Sequence, residues 1–353
     1  MNWITSITLI KTQKRPDHPY FAQAYDFMLA WINGQGEFLL KTSGSTGPPK
    51  PILISRKQLS ASARMTGKAL HLEKGTRALV CLNVGYIAGL MMLVRGLELD
   101  WQLTIIEPVA NPLLGPENVP EFDFVAMVPL QMIHILENPV TKAQVNGLGK
   151  ILLGGAPVSV SLKRSLMDLQ IPVFQSYGMT ETVSHVALRR LNGPVSEENY
   201  TFLPDIAFGT DSRGCLFVSG QVTDHQIVQT NDLVEISGNS FKWIGRADNV
   251  INSGGVKIVL DNLDTIVEEV FYDLKLSNPF FTWFETDEKL GQRLILIIQG
   301  SIANISQKDI LEEIRRRASA YETPKHIYFV SQFLKTPTDK LDKRGTIQQL
   351  LKS

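Results

Sequence analysis

The sequence predicts an α/β fold: a large N-terminal α/β domain (1–247), within it a small β-rich subdomain at about 201–247, then a small α+β domain at 248–353. Three observations predict it. From Leu39 to about Arg190, short apolar runs alternate with segments of helical period, the pattern of a largely parallel sheet. After Gly193 the texture changes to short β runs broken by Gly, Asn, Asp and Ser. From Asp248 onward, apolar residues at helical spacing sit between strand-like runs, over a length usual for a separate domain.

Taken in order, the first notable element is Ala78 to Val94, uncharged and bounded by Arg77 and Arg95. A membrane helix needs about 20 predominantly apolar residues, and Asn83, Gly85 and Gly89 interrupt this run. We read Val80 to Leu82 as a buried strand and Ile87 to Leu97 as an apolar helix after a glycine turn. Leu103 to Ile106, Phe124 to Val128, Lys150 to Leu153 and Val173 to Gln175 read as strands. Leu130 to Glu137 and Val160 to Leu169 read as helices. In the β-rich stretch the strands are Gly214 to Ser219, Gln226 to Gln229, Val234 to Ile236 and Phe241 to Ile244. The last two form a hairpin through Ser237-Gly238-Asn239-Ser240. Further on, Leu263, Ile266, Val267, Val270 and Phe271 fall at i, i+3, i+4, i+7 and i+8, an amphipathic helix. Phe280 to Phe284 and Arg293 to Gln299 are strands, Ser306 caps a helix reaching about Ala320, and Tyr328 to Val330 is a short strand.

The bulk composition narrows the functional classes. Lys plus Arg and Asp plus Glu number 35 each, so no global field favours nucleic acid or an anionic membrane. Any phosphate site must be built locally. Two cysteines, Cys81 and Cys215, without a Cys/His cluster argue against a disulfide framework or structural zinc, and fit a reducing cytoplasm. Met1 to Pro16 lacks the basic start and apolar core of a signal peptide. Nothing in the sequence excludes self-association.

The segment with the most chemistry is Thr42-Ser43-Gly44-Ser45-Thr46-Gly47-Pro48-Pro49-Lys50, just after Phe38-Leu39-Leu40. Glycines let backbone N–H groups approach a phosphate, hydroxyls donate to it, and a lysine adds a point charge. No Walker A frame fits it. Later segments carry an aromatic ring beside a carboxylate (Ser176-Tyr177-Gly178-Met179-Thr180-Glu181), a polar turn (Thr230-Asn231-Asp232) and a glycine-flanked Gly245-Arg246-Ala247-Asp248.

In this order the segments resemble the motifs of the adenylate-forming superfamily, the acyl- and aryl-CoA synthetases, over roughly residues 37 to 345. The resemblance implies that fold, with a C-terminal domain that moves about Asp248, and ATP, Mg²⁺ and coenzyme A as ligands. It assigns Thr42, Ser43, Gly44, Ser45, Thr46, Gly47 and Lys50 to the phosphates of ATP. Leu153-Gly154-Gly155-Ala156-Pro157 lies along the adenine, Tyr177 packs on it next to Ser176 and Gly178, and Thr180 and Glu181 belong to the catalytic motif, Glu181 holding magnesium. Asp232 accepts from the ribose hydroxyls and Arg246 sits near ribose and phosphate. Ser253, Gly254 and Gly255 line the coenzyme A tunnel, and Lys340 serves adenylation. Three departures stand out. Asn231 replaces a glycine, and we expect it to tolerate left-handed backbone there. Leu334 replaces a proline, and Asp339 replaces a glycine next to Lys340, offering it an ion pair. The portion before the phosphate loop is shorter than in relatives, so the acyl-pocket subdomain is expected to be trimmed.

Pro172 to Ala187 most resembles the o-succinylbenzoate–CoA ligases of menaquinone synthesis, which implies an aromatic dicarboxylic acid as substrate. Ser184 and His185 are candidate contacts to the acid, as is Tyr86, which stands where histidine is common. Three alternatives stay open: another aryl- or acyl-CoA ligase, an enzyme that loads a carrier protein, and a non-catalytic nucleotide-binding homologue.

Overall fold

The computed structural model describes residues 1–41, 51–114, 121–336 and 341–350. The phosphate-loop candidates Thr42 to Lys50, and Lys340 with Asp339, lie outside these residues.

Strand β1 is Asn2–Thr5. Helix α1, Pro19–Ile32, starts on a proline whose fixed φ suits a first helical turn, and buries Phe21, Ala24, Met28 and Trp31 along one stripe. Strands β2, Glu37–Lys41, and β3, Pro51–Ser55, pair as an antiparallel hairpin. Ser55 then starts helix α2, Arg56–Leu70, through a capping box. The Gln58 N–H donates to Ser55 Oγ (3.3 Å) and the Ser55 N–H to Gln58 Oε1 (3.0 Å). The buried face of α2 is mostly small or hydroxylated, Ser62, Ala63, Thr66 and Gly67 among them.

The parallel core follows: β4 Arg77–Val80, α3 Ile87–Glu98, β5 Gln102–Ile106, β6 Phe124–Met127, α4 Pro129–Glu137, α5 Pro139–Gln144, β7 Lys150–Leu153, α6 Val160–Leu166 and β8 Val173–Gly178. Strands β9, His185–Arg190, and β10, Tyr200–Phe202, continue it antiparallel. The order is β1-β5-β4-β6-β7-β8-β9-β10, with β5, β4, β6, β7 and β8 mutually parallel. Because β5 lies on one side of β4 and β6 on the other, the chain changes direction between β4 and β6. That is the topological switch point of an open α/β sheet, where ligands bind beyond the carboxyl ends of the strands. One core packs Leu79, Val125, Ile151 and Val173 against Met132 and Ile135 of α4 and Leu162 and Leu166 of α6.

A meander follows: β11 Ala207–Thr210, β12 Cys215–Ser219, β13 Val228–Ser237 and β14 Ser240–Arg246. The chain divides into two compact units, the first being 1–209, 217–229 and 236–242, and the second 210–216, 230–235 and 243–353. The second holds β15 Val250–Ser253, β16 Val256–Val259, α7 Leu260–Asp273, β17 Phe280–Asp287, β18 Gly291–Gln299, α8 Gln307–Arg317, β19 His326–Val330 and α9 Lys343–Leu350. Its core combines Leu263, Val267 and Val270 of α7, Leu294, Leu296 and Ile298 of β18, and Ile310 and Ile314 of α8. Among the described residues no helix is long and apolar enough to cross a membrane; Ala78 to Val94 divides between β4, a loop and the 12-residue α3.

Several expectations need correction. Cys81 and Leu82 lie past the end of β4, and α6 stops at Leu166, short of Leu169. Val228 and Gln229 of one expected strand and Val234 to Ile236 of the next belong to a single strand, β13, of 10 residues, while Gln226 and Ile227 precede it. Asn231 sits inside that strand and is not among the residues with positive φ, so it serves no left-handed turn. Its side chain is used instead: Arg213 Nη1 donates to its Oδ1 (3.1 Å), and its Nδ2 donates to both oxygens of Asp248 (3.3 Å each).

Candidate active site

A cavity of about 300 Å³ opens at the switch point, inside the first unit. Leu82 after β4, Ala126 to Val128 at the end of β6, Gly154 and Gly155 after β7, and Ser176 and Gly178 of β8 are strand-end residues on its wall. Ile87, Ala88 and Arg95 of α3 line it too, as do Thr180, Ser184 and His185. Seven residues singled out from sequence therefore meet there: Gly154, Gly155, Ser176, Gly178, Thr180, Ser184 and His185.

The glycines have steric reasons. A Cβ on Gly178 would lie 2.3 Å from the Ser184 carbonyl oxygen and 2.5 Å from His185 Cα, because the β8–β9 register slips between Tyr177 and Gly178. On Gly154 it would lie 2.5 Å from Ser176 Oγ, which donates to the Leu153 carbonyl (3.1 Å). Gly155 has φ +81°. Tyr177 is edge-on to Phe241 (centroids 5.1 Å) and tilted against Tyr200 (5.8 Å), so its ring is held by an aromatic cluster. Ala156, Pro157 and Glu181 are exposed, and Tyr86, at 52 % exposure, is the N-cap of α3 next to the cavity-lining Ile87.

The polar wall is a closed network around Arg95, a residue that sequence reasoning treated only as the border of an apolar run. Arg95 is 2 % exposed. Its Nε donates to Thr66 Oγ1 of α2 (3.3 Å), its Nη2 to Ser184 Oγ (3.1 Å) and its Nη1 to Met92 Sδ (3.6 Å). No carboxylate pairs with it among the described residues. Burial alone lowers its pKa to about 10, so it stays cationic at neutral pH. His185 contacts Thr66 Oγ1 through Nε2 (3.1 Å) and Ser184 Oγ through Nδ1 (3.2 Å). Burial, with the charge of Arg95, holds its pKa well below the ordinary 6.5, and the ring is neutral. The signal in the sequence was a lone charge at position 95, deep in the apolar Ile87 to Leu97 stretch.

Other candidates belong to the second unit. Arg246 pairs with Asp248 (2.7 Å) and lies 3.7 Å from Asp232; the Asp248 carboxyl is held below its usual range, first by that hydrogen bond. Ser253 is buried and pairs with Val256 across a two-residue turn. Gly254 and Gly255 form it with φ of +60° and +86°, the backbone of a type I′ turn that only small residues adopt readily.

An open sheet with a cavity at its switch point, a buried arginine on its wall, is the arrangement in which α/β proteins bind their ligands. Residues 38–204 match the AMP-binding enzyme family. A crystal structure of an acyl-CoA synthetase (AMP-forming)/AMP-acid ligase II-like protein from Dyadobacter fermentans is 64 % identical, covering 99 % of this chain and 100 % of that one, with a TM-score of 0.71. The chain belongs to the AMP-binding enzyme family, and its fold is that of the adenylate-forming enzymes. A 2-succinylbenzoate–CoA ligase of Staphylococcus aureus is 23 % identical over 331 residues, 86 % of this chain. The match spans 65 % of that relative's length. The o-succinylbenzoate CoA synthetase of Bacillus subtilis, in complex with ATP and a magnesium ion, is 19 % identical, covering 88 % of this chain and 69 % of that one, with a TM-score of 0.67.

Proposed function

We propose that the protein is an AMP-forming acid–CoA ligase for an acid that carries a second anionic group, with 2-succinylbenzoate, an acid of menaquinone synthesis, as the substrate to test. The observation that carries this reading is Arg95: a buried guanidinium on the cavity wall with no carboxylate partner among the described residues. A buried charge is costly unless paired. A ligand carboxylate would supply the pair, and a bidentate one matches the guanidinium fork.

The chemistry proceeds in two displacements. An oxygen of the acid's reacting carboxylate attacks the α-phosphorus of ATP and the bond to pyrophosphate breaks, leaving an acyl-adenylate. The coenzyme A sulfur, as thiolate, then attacks the acyl carbon, the C–O bond to phosphate breaks and AMP leaves. The backbone at Gly154 and Gly155 gives the adenine a close approach, and the Tyr177 ring, braced by Phe241, offers it a flat apolar surface. The same reading assigns the ribose to Asp232 and Arg246, the thiol passage to Ser253, Gly254 and Gly255, the charge on the α-phosphate to Lys340 and the hydroxyl loop, and the hinge to Asp248. Magnesium has one carboxylate to bind here, Glu181, exposed and next to the cavity-lining Thr180. One carboxylate with phosphate oxygens is how Mg²⁺ is usually bound, and when bound it neutralises charge on departing pyrophosphate.

The test is acid-dependent ATP–pyrophosphate exchange with 2-succinylbenzoate, then thioester formation on adding coenzyme A. Lys340→Ala is expected to lower exchange by on the order of a hundredfold or more. Arg95→Met is expected to raise the KM for the acid at least about tenfold while leaving the KM for ATP little changed. Exchange with another acid but not with 2-succinylbenzoate would keep the reaction class and discard this acid. Transfer of the acyl group to a carrier protein instead of coenzyme A would support the carrier-loading alternative, and ATP binding without exchange for any acid the non-catalytic one.

A further inference from the structure

Counting donors around Arg95 fixes more than the electrostatics. A threonine hydroxyl has one hydrogen to give. That of Thr66 goes to the Ser62 carbonyl (3.0 Å), so Thr66 Oγ1 can only accept from its other neighbours. It accepts from Arg95 Nε (3.3 Å), and from His185 Nε2 (3.1 Å), which must then carry the ring hydrogen. A neutral imidazole with Nε2–H leaves Nδ1 as an acceptor, and the neighbour able to donate to it is the Ser184 hydroxyl (3.2 Å). With its hydrogen spent, Ser184 Oγ accepts from Arg95 Nη2 (3.1 Å). The ring Thr66–His185–Ser184–Arg95 therefore closes in one direction, every hydrogen accounted for. Thr66 is fully buried, on the inner face of α2, while Arg95 lines the cavity.

We propose that Thr66 and His185 are positioning residues, which through Thr66 Oγ1 and Ser184 Oγ hold the Arg95 guanidinium at the cavity wall and so set selectivity for acids with a second anionic group. Within the ring, His185 and Ser184 have no hydrogen left for a ligand. Of the five guanidinium N–H bonds, those to Thr66, Ser184 and Met92 are used, and the remainder are the wall's charged donors. The ring thus turns two residues that look like ligand contacts in sequence into supports for a third. This rests on the functional reading above as far as the acid is concerned; the direction of the ring does not.

The experiment has two arms. In the first, 15N NMR of the histidine rings is recorded between about pH 5 and 8, with His185 assigned by its loss in His185→Gln. Arg95 is the charged group that acts on this ring. The expected result is an Nε2–H tautomer without protonation across that range in the wild type, and a changed tautomer population in Thr66→Val. An Nδ1–H tautomer, or a ring that protonates near its ordinary pKa, overturns the proposal. The second arm compares pyrophosphate exchange with 2-succinylbenzoate and with 3-benzoylpropionate, the same keto acid lacking the ring carboxylate. Thr66→Val is expected to cut the kcat/KM ratio of the two acids on the order of tenfold, mainly through KM of the dicarboxylate, and Thr66→Ser to restore it. An unchanged ratio in a folded Thr66→Val protein overturns the selectivity role. If neither acid is exchanged but the ring has the expected tautomer, the choice of acid fails while the ring stands.

Discussion

Gly178 and His185 show how single residues shape the cavity. Gly178 sits where β8 slips against β9, and any Cβ would strike the backbone of Ser184 and His185, which cannot swing aside as a flexible side chain would. Gly178→Ala is expected to lower stability by about 2–3 kcal/mol and to weaken acid binding, checked by denaturant melts and by calorimetric titration. His185 has a folded-state pKa depressed below its unfolded value. As pH falls through about 6.5, the unfolded chain gains a proton that the folded chain refuses. The stability supplied by this residue is therefore whole above that pH and declines below it, by up to about 1.4 kcal/mol per pH unit. His185→Gln should flatten the acid limb of the stability curve in melts taken across that range. Of the residues on this wall, Ser184 and His185 were legible in the sequence through their place after the Tyr177 to Glu181 motif. Arg95 carried one sign, a lone charge within the apolar Ile87 to Leu97 stretch, which its reading as the border of that run passed over; Thr66, in a polar-looking helix, carried none.

Among the elements, legibility followed side-chain chemistry. Strand β7 begins and ends where the sequence predicts, since Lys150 to Leu153 is an apolar run pinned between Gly149, at φ +61°, and Gly154. The Ser306 cap of α8 was equally plain, and strands β17 and β18 were found, although β17 runs on to Asp287 and β18 starts earlier, at Gly291. Helix α2 left little pattern, because its buried face is built from Ser60, Ala61, Ser62, Ala63, Thr66 and Gly67 rather than from a stripe of large apolar residues. Helix α9 was hidden by its basic start, which read as a lysine motif. Its first residue, Lys343, donates to Asp264 Oδ2 of α7 (2.9 Å), whose other oxygen accepts from the N–H and the hydroxyl of the buried Thr282 (2.7 Å each). Lys343→Met removes the cation from a half-buried carboxylate and is expected to cost about 1–2 kcal/mol. Hydrogen exchange should then rise first along α9, at Thr346 and Ile347, before it rises in α7.

At the scale of the molecule, the two units carry separate cores, one around α4, α6 and the parallel sheet and the other around α7, α8 and β18. Separate cores predict more than one cooperative transition. Scanning calorimetry should give a measured enthalpy larger than the van't Hoff enthalpy. Lys343→Met, a residue whose contacts among the described residues, Asp264 and Phe281, lie in the second unit, should shift the transition of that unit and leave the other in place. The equality of 35 basic and 35 acidic residues predicts low solubility near neutral pH and low salt, since little net charge keeps copies apart.

The units are interleaved in the chain: residues 210–216 and 230–235 belong to the second, while 217–229 and 236–242 return to the first. For a chain leaving a ribosome this imposes an order of events. The first unit cannot close when its parallel sheet has been synthesised, at Gly178; it must wait for Ile236 to Lys242, up to 64 residues later, which at about 5–20 residues per second means roughly 3–13 s. During that interval β10 lacks its partner at Phe241, and the β8-to-β10 edge stays open to other nascent chains. Slow codons placed between positions 190 and 235 would lengthen that exposure, and expression hosts that pause there should yield more aggregated product from the same amino-acid sequence.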